Sequence, residues 1–298
     1  YHLQLKFNQY NLRMNYLKFA LIICLSSSIY PNCSKAENST KVVVAGGSLT
    51  EIIYFLNKES VLVGVDITSN FPEEAKSLPS VGYVRALSAE GILSLEPTLI
   101  LGEDDTGPEL VVKQIQNTGV DLRIIEEDYT LKSIYKKLFC VAKILNYEKE
   151  AEKIYNNKLK GQFASLEKFS VRNYKNPKKG LVILNMEGTS PIVAGRNTSG
   201  NGFIQMLGAQ NVVNDFEGWK PVGSESIIEL NPDFIVITKR GLNNFSSMEQ
   251  FIQKTSLNFT NAGKNENIYA IEGMAMLGFG PRTVNEALTL ASEINISE

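Results

Sequence analysis

Two residues in one short stretch could do chemistry together. Within Ser80 to Pro97, read S-V-G-Y-V-R-A-L-S-A-E-G-I-L-S-L-E-P, Tyr83 stands two positions before Arg85 in a polar loop that runs into a helix start. A phenol beside a fixed guanidinium ionises more easily, because the neighbouring positive charge favours the phenolate. Such an oxygen is a hard anionic ligand for ferric iron, and tyrosine is a known though uncommon iron ligand. A Y-x-R pair can equally be a rim aromatic next to a solvated charge, so the rest of the chain has to decide between the two.

Most other chemistries are excluded by composition. The sole histidine is His2, ahead of a segment that reads as an export signal, so the folded part of the chain has no histidine metal site and no Ser-His-Asp or Cys-His arrangement. That points away from an enzyme. Thirty basic against 32 acidic residues leave a net charge of −2, which gives no bulk electrostatic reason to bind nucleic acid. The basic run from Arg172 to Lys179 reads as a solvated loop. With 298 residues, 43% of them hydrophobic and 21% charged, the chain is long enough for two ordinary domains with a sizeable core.

From Met14 the chain reads N-Y-L-K-F-A-L-I-I-C-L-S-S-S-I-Y, a lysine followed by an apolar run too short to span a bilayer, as in an export signal. Residues 1 to 13 precede that methionine and are set aside. Ser34-Lys35-Ala36 supplies small residues where a signal peptidase cuts, so residues 1–36 are expected to be upstream extension and signal. Lipid attachment at Cys33 is the alternative. Cleavage after Ala36 leaves one cysteine, Cys140, and hence no internal disulfide. The expected location is the periplasm or cell envelope.

Behind the candidate pair the chain reads as α/β units. Lys41-Val42-Val43-Val44-Ala45 is a β-branched run that ends in Gly46-Gly47 and leads into the apolar helix of Leu49 to Leu56; the glycines read as a tight turn at a ligand-facing strand end. Further strands are expected at 61–66, 98–101 and 121–125. Helices are expected near Pro108 to Thr118 and from Leu87-Ser88-Ala89-Glu90, with Ser88 as N-cap. From Thr130 to Phe169 helical spacing persists without a proline, which predicts a long connecting helix. Afterwards the grammar repeats. Gly180 to Leu184 is a strand, and Glu225 and Pro232 before the strand of Phe234 to Ile237 mirror Glu90 and Pro97, each pair offset by 135 residues. An internal duplication of this kind implies two similar lobes with a ligand cleft between them. The expected divisions are an N-terminal lobe 37–128, a connecting segment 129–170 and a C-terminal lobe 171–298.

These residues carry a family resemblance. G-Y-V-R-A-L-S-A-E-G-I-L-S-L-E-P, V-A-G-G-S-L-T-E-I-I-Y, S-P-I-V-A-G-R at Ser190 to Arg196, T-K-R-G-L at Thr238 to Leu242 and L-G-F-G-P-R-T at Leu277 to Thr283 together resemble the haem-binding substrate-binding proteins of bacterial haem-uptake ABC transporters. The resemblance implies two Rossmann-like α/β lobes joined by a single long α-helix, the class III substrate-binding architecture, with haem b carried in the cleft. It implies Tyr83 as axial iron ligand and Arg85 as the cation that stabilises its phenolate. Arg240, just after the strand of Phe234 to Ile237, is a candidate to face the cleft and pair with a propionate or with the ligand pocket, a surface arginine being the alternative. Glu90 and Glu225 would dock onto arginines of the permease. The partners would then be haem and a permease–ATPase complex, and the carrier a monomer. Some relatives add a histidine from the second lobe; none stands there here, which leaves Tyr83 alone or with water or a weak ligand such as Met186. The same architecture also serves cobalamin and ferric-siderophore carriers.

Overall fold

The computed structural model describes residues 33–173 and 176–295. The expected signal segment before Cys33 therefore lies outside the described residues, as does part of the basic run Arg172 to Lys179. Two parallel sheets dominate. The first takes its strands in the order β2-β1-β5-β6, from Val42–Ala45 (β1), Leu62–Val65 (β2), Leu99–Glu103 (β5) and Asp121–Ile125 (β6). A two-residue-turn hairpin, Gly82–Tyr83 (β3) and Ala86–Leu87 (β4), stands apart from it. The second sheet is built on Lys179–Glu187 (β7), Phe234–Thr238 (β11) and Ile268–Ile271 (β12), with Gln210–Asn211 (β9) pairing β7 in parallel. Ser190–Ala194 (β8) and Trp219–Pro221 (β10) extend it in antiparallel fashion.

The two sheets are versions of one pattern. Order 2-1-5-6 in the first corresponds to 9-7-11-12 in the second, and β5 and β11 begin at Leu99 and Phe234, the same 135-residue offset that separates Glu90 from Glu225. The sheets are apolar on both faces, as buried parallel sheets are. Val42 and Val44 of β1 face one core while Val43 and Ala45 face another; Phe234 and Val236 of β11 likewise oppose Ile235 and Ile237. The outer faces have separate cores, but the inner faces share one. That shared core includes residues of both sheets together with Leu138, Val141, Phe163 and Leu166 of the connecting segment and Val284, Leu290 and Ile294 near the C-terminus.

The connecting segment is helical as expected, but it is three helices rather than one: Leu131–Ile144 (α4), Glu148–Lys158 (α5) and Lys160–Asn173 (α6). The first is opened by a reciprocal cap in which Thr130 accepts from the Ser133 N–H and Ser133 accepts from the Thr130 N–H. It ends because Asn146 turns left-handed, at φ 54°, a conformation asparagine tolerates better than most residues. At Leu159 the chain only kinks: its N–H still bonds the Tyr155 carbonyl and its carbonyl accepts from Phe163. The C-terminal helix Pro281–Asn295 (α13) packs on α6 and on Gly47–Phe55 (α1), so it runs back from the second sheet to the first.

One expectation at the N-terminus is corrected. Cys33 and Cys140 form a disulfide, the Ala36 N–H bonds the Ile144 carbonyl at 3.0 Å, and Ala36 is buried in the shared core. Arg123 Nη1 also donates to the Ser34 carbonyl at 3.1 Å and to its hydroxyl at 3.0 Å. A cut after Ala36 would fall inside packed structure, and a Cys33 sulfur bonded to Cys140 cannot also carry a lipid. The sequence reading stopped at small residues of the right type and had no view of their burial. The bridge closes a loop with a sequence separation of 107 residues, and such a cross-link is typically worth about 2–4 kcal/mol. Cys140→Ser should lower stability by about that amount in denaturant melts, and non-reducing peptide maps of the exported protein should contain the Cys33–Cys140 pair. A variant as stable as the parent would mean that the bridge does not form.

Candidate functional site

Tyr83 and Arg85 sit together on the β3–β4 hairpin, which is docked to the carboxyl ends of the first sheet. The Ile67 N–H, just past β2, donates to the Gly82 carbonyl at 2.9 Å; beyond β5, Gly107 N–H donates to the Val84 carbonyl and its own carbonyl accepts from Leu87, both at 2.9 Å. Val84 and Leu87 are buried in the outer core, which leaves Tyr83 and Arg85 outward. Tyr83 is 41% exposed, and beside its strand the loop after β2 presents Ile67 at 64% and Phe71 at 40%. Two exposed apolar side chains on the loop beside this phenol form with it a surface suited to a flat apolar ligand.

Arg85 Nε donates to Asp105 Oδ2 at 2.8 Å. That hydrogen bond, with smaller contributions from Tyr83 and Tyr129, pushes the guanidinium above its ordinary value, so it remains a fixed cation. Tyr129 is the second phenol near this cation. Burial pushes Tyr129 up, and the carboxylates of Glu127, Asp104, Asp105 and Glu103 add to the effect, so it is held protonated. Its ring meets Phe279 edge-on, with centroids 5.4 Å apart. Of the two phenols it is thus Tyr83 that is open to a ligand.

The carboxyl ends of the two sheets face each other here, and the tight Gly46-Gly47 turn shows how closely. Gly46 has φ 146°, and a Cβ on Gly47 would lie 2.5 Å from the Thr68 carbonyl oxygen and 2.7 Å from Met274 Cε of the second lobe. Only glycine fits. Around this point the L-G-F-G-P-R motif forms the joint between lobes. Arg282 donates from its backbone N–H and from Nε to the two oxygens of Glu51 on α1, each at 2.7 Å, and stacks on the Phe71 ring at 3.8 Å. Glu272, which caps the short helix Gly273–Leu277, is 3.5 Å from Arg282 Nη1 and accepts from Asn70 at 3.4 Å. Lys137 of α4 pairs with Glu127 and donates to Ser48 Oγ at 2.8 Å and to the Gly278 carbonyl at 3.1 Å; Ser48 in turn donates to Glu103.

The other expected residues lie elsewhere. Arg240 is exposed on Lys239–Leu242, the short helix at the carboxyl end of β11, and among the described residues its guanidinium has no ion-pair or hydrogen-bond partner. The structure puts it on the second lobe's side of the joint and bonds it to neither Tyr83 nor Arg85. Met186 packs partly buried against the second lobe's outer core. Glu90 and Glu225 are exposed in the first turns of Ala89–Leu93 (α2) and Ser224–Leu230 (α8), with Ser88 capping the former as expected. Sequence reasoning missed Asp105, Tyr129 and the Glu51–Arg282 pair. The last had a signal: Glu51 is a lone acid within the apolar run L-T-E-I-I-Y, where a buried partner is needed.

The fold and site are those of a two-lobed solute-binding protein, with its candidate ligand groups where the two sheets' carboxyl ends meet. The chain belongs to the periplasmic binding protein family, whose profile matches residues 42–274. It is similar to the solved periplasmic haem-binding protein BhuT in complex with two haems, with a TM-score of 0.79 and 30% identity over 86% of this chain and 98% of that one. Among sequence relatives, an uncharacterized ABC transporter substrate-binding lipoprotein, YvrC of Bacillus subtilis, is 24% identical over 85% of this chain and 79% of that one. The vitamin B12-binding protein of Pectobacterium atrosepticum is 23% identical over 73% and 75% respectively. This is a non-enzymatic, extracytoplasmic carrier of the ABC-transporter type. No described helix is long and apolar enough to cross a membrane.

The joint makes stability depend on pH. Glu103, partly buried at the end of β5, is pushed up to about 7, chiefly by desolvation against the opposing pull of Lys137; Glu51 moves in the same direction for the same first cause. Between the ordinary value of 4.5 and about 7 the folded protein holds a proton that the unfolded chain has released, so stability falls as pH rises through that window. Melting temperature is expected to drop between pH 5 and 7.5, and Glu103→Gln to flatten that slope; equal slopes would show Glu103 behaving as an ordinary carboxylate.

Proposed function

We propose that this protein is a haem-binding carrier that delivers haem b to an ABC-transporter permease and ATPase for iron uptake. The observation that carries the reading is the hairpin that presents an exposed phenol and a fixed guanidinium, two residues apart, among exposed Ile67 and Phe71 at the mouth of the joint. Tyr83 supplies the axial oxygen for ferric iron, with the Arg85 cation two residues away on the same hairpin. The apolar side chains take the macrocycle face, and Arg240, on the opposite lobe with its donors unpaired, takes a propionate. Similarity to a haem-binding protein at 30% identity supports the ligand class.

The lobes that close on the ligand are 37–128, with the Cys33–Ala36 strap, and 171–298. Glu90 and Glu225 serve as the docking charges. Both are exposed, have no ion-pair partner among the described residues, and occupy equivalent first turns of the two lobes, as contact with a pair of basic permease sites requires. A second reading, a cobalamin carrier, is favoured by the vitamin B12-binding relative; a corrin lacks the ferric centre for which a tyrosinate is suited.

Purified protein is expected to take up haemin with a ferric tyrosinate-type absorption band. Tyr83→Phe should lose most of that band while melting like the parent, and excess cyanocobalamin should not displace the haemin. An unchanged band in the variant would remove Tyr83 from the iron, and displacement by cyanocobalamin would favour the second reading. In a reconstituted transporter, Glu90→Lys with Glu225→Lys should cut ligand-stimulated ATP hydrolysis at least about tenfold, as expected when opposite charges are turned into like ones. Haemin binding by the isolated carrier should be unaffected, and undiminished hydrolysis would place the docking surface elsewhere.

A further inference from the structure

Asp105 belongs to none of the sequence motifs, yet it is the one protein partner of the Arg85 side chain among the described residues. It lies in the turn after β5, where the Thr106 N–H closes back on the Glu103 carbonyl at 2.9 Å. The next residue, Gly107, bonds both strands of the hairpin through Val84 and Leu87. The carboxylate and the guanidinium therefore stand on two loops tied together by backbone, with little freedom to separate. Side-chain exposures of 63% for Arg85 and 37% for Asp105 mean that the ion pair contributes little to stability by itself. Its geometry matters more. Asp105 takes only Nε, and neither Nη nitrogen has a protein partner among the described residues, so the outer end of a planar, five-donor group is left free.

We propose that Asp105 is a positioning residue: by holding Arg85 at Nε it aims the two Nη groups at the Tyr83 oxygen and at anionic groups of the ligand. This rests on the reading of the hairpin as the ligand site. Arg85 faces Asp105, Tyr83 and Tyr129; Glu103 and Asp104 share the Asp105 loop, Glu127 lies next along toward Tyr129, and Lys137 stands behind Glu103 and Glu127. In so acidic a neighbourhood an untethered arginine has several other carboxylates to turn to. A carboxylate fixed beside Nε keeps it from doing so and from swinging into solvent.

Two substitutions separate positioning from simple charge. Asp105→Asn keeps an amide oxygen that can accept from Nε but removes the negative charge; Asp105→Ala removes both. Loss of aim weakens haemin binding, whereas loss of the negative charge alone, with the acceptor kept, does not. The expected result is that Asp105→Ala and Arg85→Ala weaken haemin affinity by about threefold or more, while Asp105→Asn binds about as tightly as the wild type. Haemin binding by Asp105→Ala as tight as that by Asp105→Asn overturns the proposal. A second measurement does not depend on haem: in the ligand-free protein, hydrogen exchange of the Arg85 Nε–H, followed by nitrogen-labelled NMR, should be slower in wild type than in Asp105→Ala. Equal exchange rates overturn the positioning role. Failure of the wild type to take up haemin overturns the haem reading instead, and leaves the exchange comparison to decide the role of Asp105.

Discussion

The rest of the structure depends on a buried ion pair that crosses from one lobe to the other. Glu51 lies within the apolar face of α1, where a carboxylate without a partner would be very costly to bury. Arg282, at the start of the C-terminal helix, meets it with a backbone N–H and with Nε. The Glu51 carboxylate cannot be solvated in place, so the start of α13 must sit against α1, and the two sheets are brought carboxyl end to carboxyl end. Stacking of the same guanidinium on Phe71 carries the constraint to the loop after β2, the loop that also bonds the Tyr83 hairpin. The candidate ligand residues are thus referred to the second lobe through one arginine.

The joint explains how much movement the architecture permits. The inner faces of both sheets, the connecting helices and the C-terminal helix bury their side chains in one continuous core. Separating the lobes at that side would expose apolar surface at about 25 cal/mol per Å². Opening at the mouth, around Tyr83 and Arg240, exposes less, because those side chains already reach solvent. Motion that releases a ligand is therefore expected as flexing about the joint rather than as wide separation of two free bodies. A carrier that must hold its cargo tightly and then surrender it to a permease needs only a small displacement of that kind.

Much of this was legible in the sequence, for physical reasons that can be named. Runs such as Val42 to Ala45 and Phe234 to Ile237 are apolar on both faces and short, which marks buried parallel strands; the 135-residue repeat gave the duplicated lobe, and Ser88 gave its cap. The hairpin that pairs Tyr83 with Ala86 followed from no periodicity, since a two-residue strand has none, yet the Y-x-R spacing put phenol and guanidinium on one loop all the same. The illegible parts are those in which partners are distant along the chain. Asp105 is 20 residues from Arg85, Arg282 is 231 from Glu51, and Cys33 is 107 from Cys140. The break at Asn146 was missed for a different reason: asparagine is tolerated in a helical pattern, and only the backbone shows that it has turned left-handed.

The same long-range contacts bear on which ligand the cleft prefers. Haem and cobalamin are both large, flat and partly apolar, so Ile67 and Phe71 would accept the face of either. Discrimination must come from the metal and from the charged periphery. Tyr129 is held protonated first by its burial and then by the carboxylates behind it, whereas Tyr83 stands exposed beside the one arginine that faces them. On the proposed reading this asymmetry is the selective element. Two phenols lie near one cation, but only the exposed one is placed to meet iron, and the acidic loop that adds to the effect of burial on Tyr129 also holds Arg85 in place. Carboxylates at the floor of an anion-binding site would ordinarily work against the site; here they are spent on the guanidinium and on Lys137, and the positive end of Arg85 is what remains exposed to the ligand.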